Sequence, residues 1–171
     1  GAWDRLAGVS HECDYPREAL HLPRVTRSAI APSAGAGEVD RAVREAVASG
    51  TPVFALDERR IRELQPSVIL TQGLCDVCAI AEGDVHRLAA SLPTPATVVS
   101  LGARTLDDVL GSISTVAQAL GAEDEGMELL SGLRARMRRV HETLKAARAP
   151  RPRVAVIEWT EPVFVAGHWV P

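Results

Sequence analysis

The feature that most constrains the fold of this chain is a long helical pattern between residues 105 and 147. Its first half has apolar residues at the three- and four-residue spacing of one helical face, namely Leu106, Val109, Leu110, Ile113, Val116 and Leu120. Gly121 predicts a stop, because glycine readily adopts the left-handed conformation that ends a helix. The second half has its own apolar face, made of Met127, Leu130, Leu133, Met137, Val140 and Leu144.

The second helix of this pair is long enough to cross a small domain. At about 1.5 Å per residue, a helix over residues 123–147 spans about 37 Å. Thr105 is a candidate N-cap, and Asp107 and Asp108 place negative charge where the helix dipole favours it. We therefore expect a helical spine that joins two lobes, with both apolar faces buried.

Short apolar segments alternate with helical patterns in the rest of the chain. Residues 5–10, 67–71 and 96–101 are predicted strands, and residues 67–71 are apolar on both faces, as a buried parallel strand requires. A further strand is predicted at residues 153–159, with residues 163–165 pairing nearby. This alternation is typical of an α/β domain with a mainly parallel sheet.

The predicted organisation follows from that alternation. A Rossmann-like α/β lobe with a mainly parallel sheet covers residues 1–104, and a long helical connector covers residues 105–150. The start of a second α/β lobe covers residues 151–171. Both ends fall within a pattern, so we expect the chain to be part of a longer protein.

Composition narrows the functional classes. The 19 basic residues are outnumbered by 22 acidic ones, which disfavours a nucleic-acid partner. No apolar run approaches the ~20 residues of a membrane span, and no signal peptide is visible. The chain has three cysteines, two of them in a C-x-x-C. This is not the pattern of a disulfide framework, and a reducing compartment or a metal fits it better.

Polar, thiol and aromatic side chains follow three of the predicted strands. Ligands of parallel sheets bind at the carboxyl ends of the strands, so these residues are the candidate site. After the first strand they are Ser10, His11, Glu12, Cys13, Asp14 and Tyr15. After the second they are Gln72, Gly73, Cys75, Asp76 and Cys78. After the last they are Glu158, Trp159, His168 and Trp169.

Two other kinds of chemistry are possible for the same residues. Three thiols and an imidazole form a legitimate zinc set, made of Cys13, Cys75, Cys78 and His11. A lone C-x-x-C is half of a zinc signal, so zinc is possible but not favoured. Acid–base catalysis would use the carboxylates of Glu12, Asp14 and Asp76. No nucleophile elbow, phosphate loop or zincin motif accompanies them, and we predict that the chain is not an enzyme.

Three segments carry a family resemblance. They are Gly-Val-Ser-His-Glu-Cys-Asp-Tyr-Pro at residues 8–16, Leu-Gln-Pro-Ser-Val-Ile-Leu-Thr at 64–71 and Val-Ala-Gly-His-Trp-Val-Pro at 165–171. They resemble the helical-backbone substrate-binding proteins of metal-chelate ABC importers, most of all the cobalamin-binding branch. That family has two α/β lobes joined by one long helix. Measured against it, the first strand of the N-terminal lobe and most of the second lobe are expected outside these residues.

The resemblance implies a ligand and a set of contacts. Cobalamin or another corrinoid would lie between the lobes, against Ser10, His11, Glu12, Tyr15, Gln72, Gly73, Cys75 and Asp76 on one side. The other wall would be Glu158, Trp159, His168 and Trp169. The aromatic rings would stack on the flat ligand, and polar groups such as Gln72 would reach its amides.

The resemblance also implies partners and a location. Glu82 would dock on an ABC permease, and the family is extracytoplasmic, although free cysteines would suit the cytoplasm.

The alternatives are a cytosolic metal- or thiol-sensing module and an interaction fragment completed by another chain. Because most of the lobe of the predicted strand at residues 153–159 is expected outside these residues, an edge and at least one face of that strand lack partners. We therefore also expect self-association through residues 153–171.

Overall fold

A computed structural model describes residues 2–31, 34–73 and 80–167. In these residues there are five α-helices: α1 Ala36–Ser49, α2 Glu58–Leu64, α3 Glu82–Ala90, α4 Leu106–Leu120 and α5 Glu123–Ala146. The strands are β1 Thr26–Ser28, β2 Phe54–Leu56, β3 Val68–Gln72, β4 Thr97–Leu101, β5 Ile157–Thr160 and β6 Val163–Val165. Two short 3₁₀ turns, Trp3–Arg5 and Arg17–His21, precede them. The fold is mixed α/β.

The strands pair into three two-stranded sheets in the described part of the chain. β3 and β4 are parallel, from Val68 opposite Thr97 to Gln72 opposite Leu101. β1 with β2, and β5 with β6, are antiparallel. The mixed α/β class is confirmed, but the expected mainly parallel sheet is not, because one of these three pairs is parallel. The division into lobe, connector and second lobe stays a prediction.

The predicted first strand at residues 5–10 is wrong. The chain makes a 3₁₀ turn at Trp3–Arg5, and Val9 then forms a single parallel bridge with Arg24. Gly8 interrupts the segment, and glycine weakens a strand because it has no side chain to pack. A Cβ at Gly8 would lie 2.8 Å from Cγ1 of Val25, so the glycine allows this close approach of the two segments.

The core lies between helices α2 and α3 and the strands. Ile61, Leu88 and Leu92 are buried together. Half-buried neighbours from both N-terminal sheets pack against them, namely Val25, Leu56, Ile69 and Ala96. Leu70, on the opposite face of β3, is 46% exposed. The prediction that this strand is buried on both faces is therefore wrong, because nearly half of the surface of Leu70 is open to solvent.

Side-chain caps fix the starts of two helices, and the cap at Thr105 was expected. The carboxylate of Asp57 accepts the N–H of Arg60 at the start of α2. At the start of α4 the hydroxyl of Thr105 accepts the N–H of Asp108, whose carboxylate accepts the N–H groups of Arg104 and Thr105. The Arg104 N–H, with help from Thr105, holds the pKa of Asp108 below its ordinary value.

Helices α4 and α5 form an antiparallel hairpin that turns at Gly121, where φ is +58°. The prediction of two helices separated at this glycine is confirmed. Leu110 and Ala117 of α4 and Gly126 and Leu130 of α5 are buried. None of the helices in the described residues is long and apolar enough to span a membrane.

The predicted buried face of α5 is wrong over most of its length. Met127, Met137, Val140 and Leu144 are exposed, Val140 by 60%. For Met137, Val140 and Leu144 the reason is one of length, since α5 has 24 residues and α4 has 15. The later turns of α5 therefore extend past the helix against which its first turns pack.

The last two strands form a β-hairpin that begins later than expected. The strand predicted at residues 153–159 is β5, Ile157–Thr160, and its pairing with Val163–Val165 is confirmed. Val154 and Val156 lie before the strand and are exposed, as are Val163 and Val165. Self-association through this apolar region stays a prediction.

Candidate functional site

The loop at residues 10–15 is anchored by one arginine. Nη1 of Arg24 donates to the carbonyl oxygen of Ser10 at 2.8 Å and also to the carbonyl oxygen of Cys13. The N–H of Cys13 donates to the Ser10 oxygen at 3.2 Å, which closes a turn. Both carbonyls point to the same guanidinium, so the loop has a fixed shape. Sequence reasoning missed Arg24, because it lies eleven residues beyond Cys13 in a segment with no motif.

His11 is held in place by Thr26, a second residue that sequence reasoning missed. The Thr26 hydroxyl accepts the backbone N–H of His11 at 2.9 Å and lies 2.6 Å from its Nδ1. The imidazole also contacts Phe54, with ring centroids 5.2 Å apart. These three contacts orient the ring, and its side chain is 22% exposed.

The other ring nitrogen of His11 has an incomplete environment. Nε2 is buried and has no hydrogen-bond partner among the described residues. Oε1 of Glu12 lies 3.4 Å away, which is an ion pair only if the imidazole is protonated. The geometry does not make a hydrogen bond, so Nε2 is unsatisfied among the described residues. Buried nitrogen atoms usually have a partner, which makes this one a candidate contact for a ligand.

The remaining side chains of this loop differ in exposure. Tyr15 is 89% exposed, and Glu12 is also exposed. Cys13 is half-buried, with Sγ 3.3 Å from Oγ of Ser10. The loop therefore presents an aromatic ring to its surroundings on a backbone that Arg24 fixes.

A second group of polar side chains gathers at the carboxyl ends of β3 and β4. A Cβ at Gly73 would lie 2.9 Å from Oγ of Ser100 and 3.1 Å from Oε2 of Glu82. Oε1 of Glu82 lies 3.6 Å from Nε2 of His86. Gln72 precedes this group and is exposed. Glu82, predicted to dock on a permease, is thus partly exposed at the edge of the strand ends. Ser100 was missed because it lies within the strand pattern of β4.

A third group lies on the β5–β6 hairpin. Oε1 of Glu158 accepts the N–H of Gly167 at 3.0 Å. Nε1 of Trp159 donates to the carbonyl oxygen of Glu161 at 2.9 Å. Both predicted ligand contacts thus have hydrogen bonds within their own hairpin. The turn of the hairpin reaches α1, since a Cβ at Gly37 would lie 3.1 Å from Cδ of Glu161.

Several predicted site residues lie outside the described residues, namely Cys75, Asp76, Cys78, His168 and Trp169. In the described part, the loop at residues 10–15 and the strand-end group share no hydrogen bond or ion pair. The same ranges hold no group of three His, Cys, Asp or Glu side chains that could bind a metal ion. The predicted zinc set and corrinoid contacts therefore stay predictions.

Comparison of the chain with protein-family models, with curated proteins and with solved structures finds no match in any of the three.

Proposed function

We propose that this chain contributes a ligand-binding surface of a substrate-binding protein for cobalamin or a related metal chelate, delivered to an ABC permease. The observation that carries the proposal is the anchored loop at residues 10–15, which presents Tyr15 while Arg24 and Thr26 hold its backbone. The resemblance of residues 8–16, 64–71 and 165–171 to that family supports it. In this proposal residues 1–104 belong to a Rossmann-like lobe, and α4 and α5 form the connector.

The proposed roles follow from the chemistry of the ligand. A corrinoid is broad and flat and carries amide groups at its rim, so it needs aromatic area and hydrogen-bond partners. Tyr15 and Trp159 supply rings. Ser10 and Gln72 supply polar groups, and the exposed carboxylate of Glu82 is the proposed contact with the permease. Preorganisation of the loop lowers the entropy that is lost on binding.

The test is direct binding of cyanocobalamin to the purified chain by equilibrium dialysis. We expect a stoichiometry near one, and a loss of about 1–3 kcal/mol of binding free energy in Tyr15→Ala and in Trp159→Ala, because each removes a stacking ring. Tyr15→Phe is the matched control, since it keeps the ring and should bind nearly normally. Haem, another flat metal chelate, is the specificity control. No retention of cobalamin, or equal retention of haem, contradicts the proposal.

A cytosolic metal- or thiol-sensing module is the alternative function. One observation favours it, the buried and unsatisfied Nε2 of His11 in the same loop as Cys13. It would also need Cys75 and Cys78. This set could bind zinc in a tetrahedral site, with the thiols deprotonated.

Metal analysis distinguishes the two functions. A structural zinc site binds far more tightly than dialysis can reverse, so zinc that remains after dialysis would mark such a site. For the ligand-binding function we expect less than about one tenth of a zinc ion per chain, which is on the order of contamination. All three thiols should then react with a thiol reagent in the folded protein. One zinc ion per chain, lost together in Cys75→Ser and Cys78→Ser, would instead establish the sensing alternative.

A further inference from the structure

A groove lined in part by Arg24 combines cationic and apolar residues. Its volume is about 540 Å³. The lining residues are His21, Leu22, Pro23, Arg24, Arg60, Glu63 and Leu64. The groove is broadly open to solvent. It is separate from the residues to which the proposed function assigns ligand contacts.

The hydrogen-bonding capacity of the two arginines is largely unused. A guanidinium has five N–H donors. Arg24 uses those of Nη1 for the carbonyl oxygens of Ser10 and Cys13, which leaves Nε and Nη2. The half-buried side chain of Arg60 has no hydrogen bond or ion pair in the described part of the chain. The groove is therefore lined by one arginine with N–H donors to spare, Arg24, and by one whose guanidinium has no acceptor among the described residues, Arg60.

The acidic residue of the groove does not neutralise them. Oε1 of Glu63 lies 2.8 Å from Nη1 of Arg59, an exposed neighbour on α2, so this carboxylate already has a cationic partner. Two like charges along one groove repel each other unless an anion lies between them.

We propose that this groove binds a phosphate group through Arg24 and Arg60. Guanidinium groups recognise phosphate oxygens with paired N–H donors, and two of them can share the several oxygens of one phosphate. A carboxylate has two oxygens and fits a single guanidinium better. A phosphate bound to the remaining donors Nε and Nη2 also restrains the guanidinium of Arg24, whose Nη1 anchors the loop at residues 10–15. Phosphate binding and the rigidity of that loop are therefore coupled.

Calorimetric titration with inorganic phosphate, in chloride buffer at constant ionic strength, tests the inference. We expect one saturable site and about tenfold weaker binding in Arg60→Gln, because one charged hydrogen-bonding partner is lost. Arg139→Gln is the matched control. It removes the same charge from an exposed position on α5, outside the groove, and should change the affinity by less than about twofold.

Two further measurements test which phosphate compound binds and whether its binding is coupled to the loop at residues 10–15. Glycerol phosphate distinguishes a phosphomonoester from the free ion, and tighter binding of either one supports the inference. Amide exchange at residues 10–13 should slow in phosphate for the unmodified chain but not for Arg60→Gln. The phosphate site is contradicted if Arg60→Gln and Arg139→Gln change the affinity equally. It is also contradicted if acetate binds as tightly as phosphate, or if phosphate shows no saturable binding. The result is independent of cobalamin, so failure of the proposed function leaves this test intact.

Discussion

Alanine substitutions at two glycines of α5 are expected to shift the free energy of unfolding in opposite directions. Gly126→Ala should lower it by about 1–2 kcal/mol, because overpacking costs about 1–3 kcal/mol and the gain in helix propensity returns part of that. The added Cβ would overlap Cβ of Ala117, closer than any real contact. That methyl group is attached to the backbone of α4, so only a shift of the whole helix relieves the clash.

Gly132→Ala is the matched control in the same helix. Nothing lies within 4 Å of the Cβ that it would add. It should raise the free energy of unfolding by about 1 kcal/mol, since alanine is the better helix former. Urea denaturation followed by circular dichroism measures both. If Gly126→Ala is also stabilising, helices α4 and α5 do not approach each other as described.

The substitutions Gly126→Ala and Gly132→Ala also test the proposed function, because both lie in α5, a helix of the proposed connector. In the proposed function α4 and α5 form the connector between lobes, and a stiff connector would limit the motion of the lobes to a small hinge. Close packing between the two helices would supply that stiffness. Gly126 allows that approach where Ala117 and Leu130 are buried. A substitution that separates the helices would therefore change the connector before it changed any ligand contact.

The elements that could be predicted from sequence are those that local chemistry determines. Gly121 ends a helix because its backbone adopts positive φ, and Asp57 and Thr105 begin helices because their side chains accept backbone N–H groups. These effects act over three or four residues and can be read from a pattern. The mixed α/β class follows from the same alternation of segments.

Burial could not be predicted in the same way, because it depends on distant parts of the chain. Leu70 and Val140 belong to strong apolar patterns and are nevertheless exposed in the structure. An apolar pattern shows which face would be buried, but not what covers it. Prediction of the candidate site from sequence is limited in the same way. His11 was recognisable by its chemistry, whereas the residues that hold its loop, Arg24 and Thr26, are joined to it by contacts that leave no local signature.

Arg24→Met should have the largest effect on the candidate site. It removes two hydrogen bonds from a charged donor to the carbonyl oxygens of Ser10 and Cys13. Hydrogen bonds to charged groups contribute about 1.5–3 kcal/mol each, and solvent reaches part of this half-buried site. We therefore expect the free energy of unfolding to fall by about 2–4 kcal/mol, with methionine keeping most of the apolar stem of the side chain in place.

The local readout is the loop itself. Amide exchange at residues 10–15 should accelerate more than exchange in the core around Leu88, because the loop loses its anchor while the packing of α2 and α3 is retained. Arg27→Met is the matched control, since this exposed arginine of β1 has no side-chain hydrogen bond or ion pair in the described residues. Arg24→Lys should recover only part of the loss, because an ammonium lacks the planar fork of donors. If Arg24→Met and Arg27→Met behave alike, Arg24 does not hold the loop, and neither the preorganised ligand surface nor its coupling to the groove can stand.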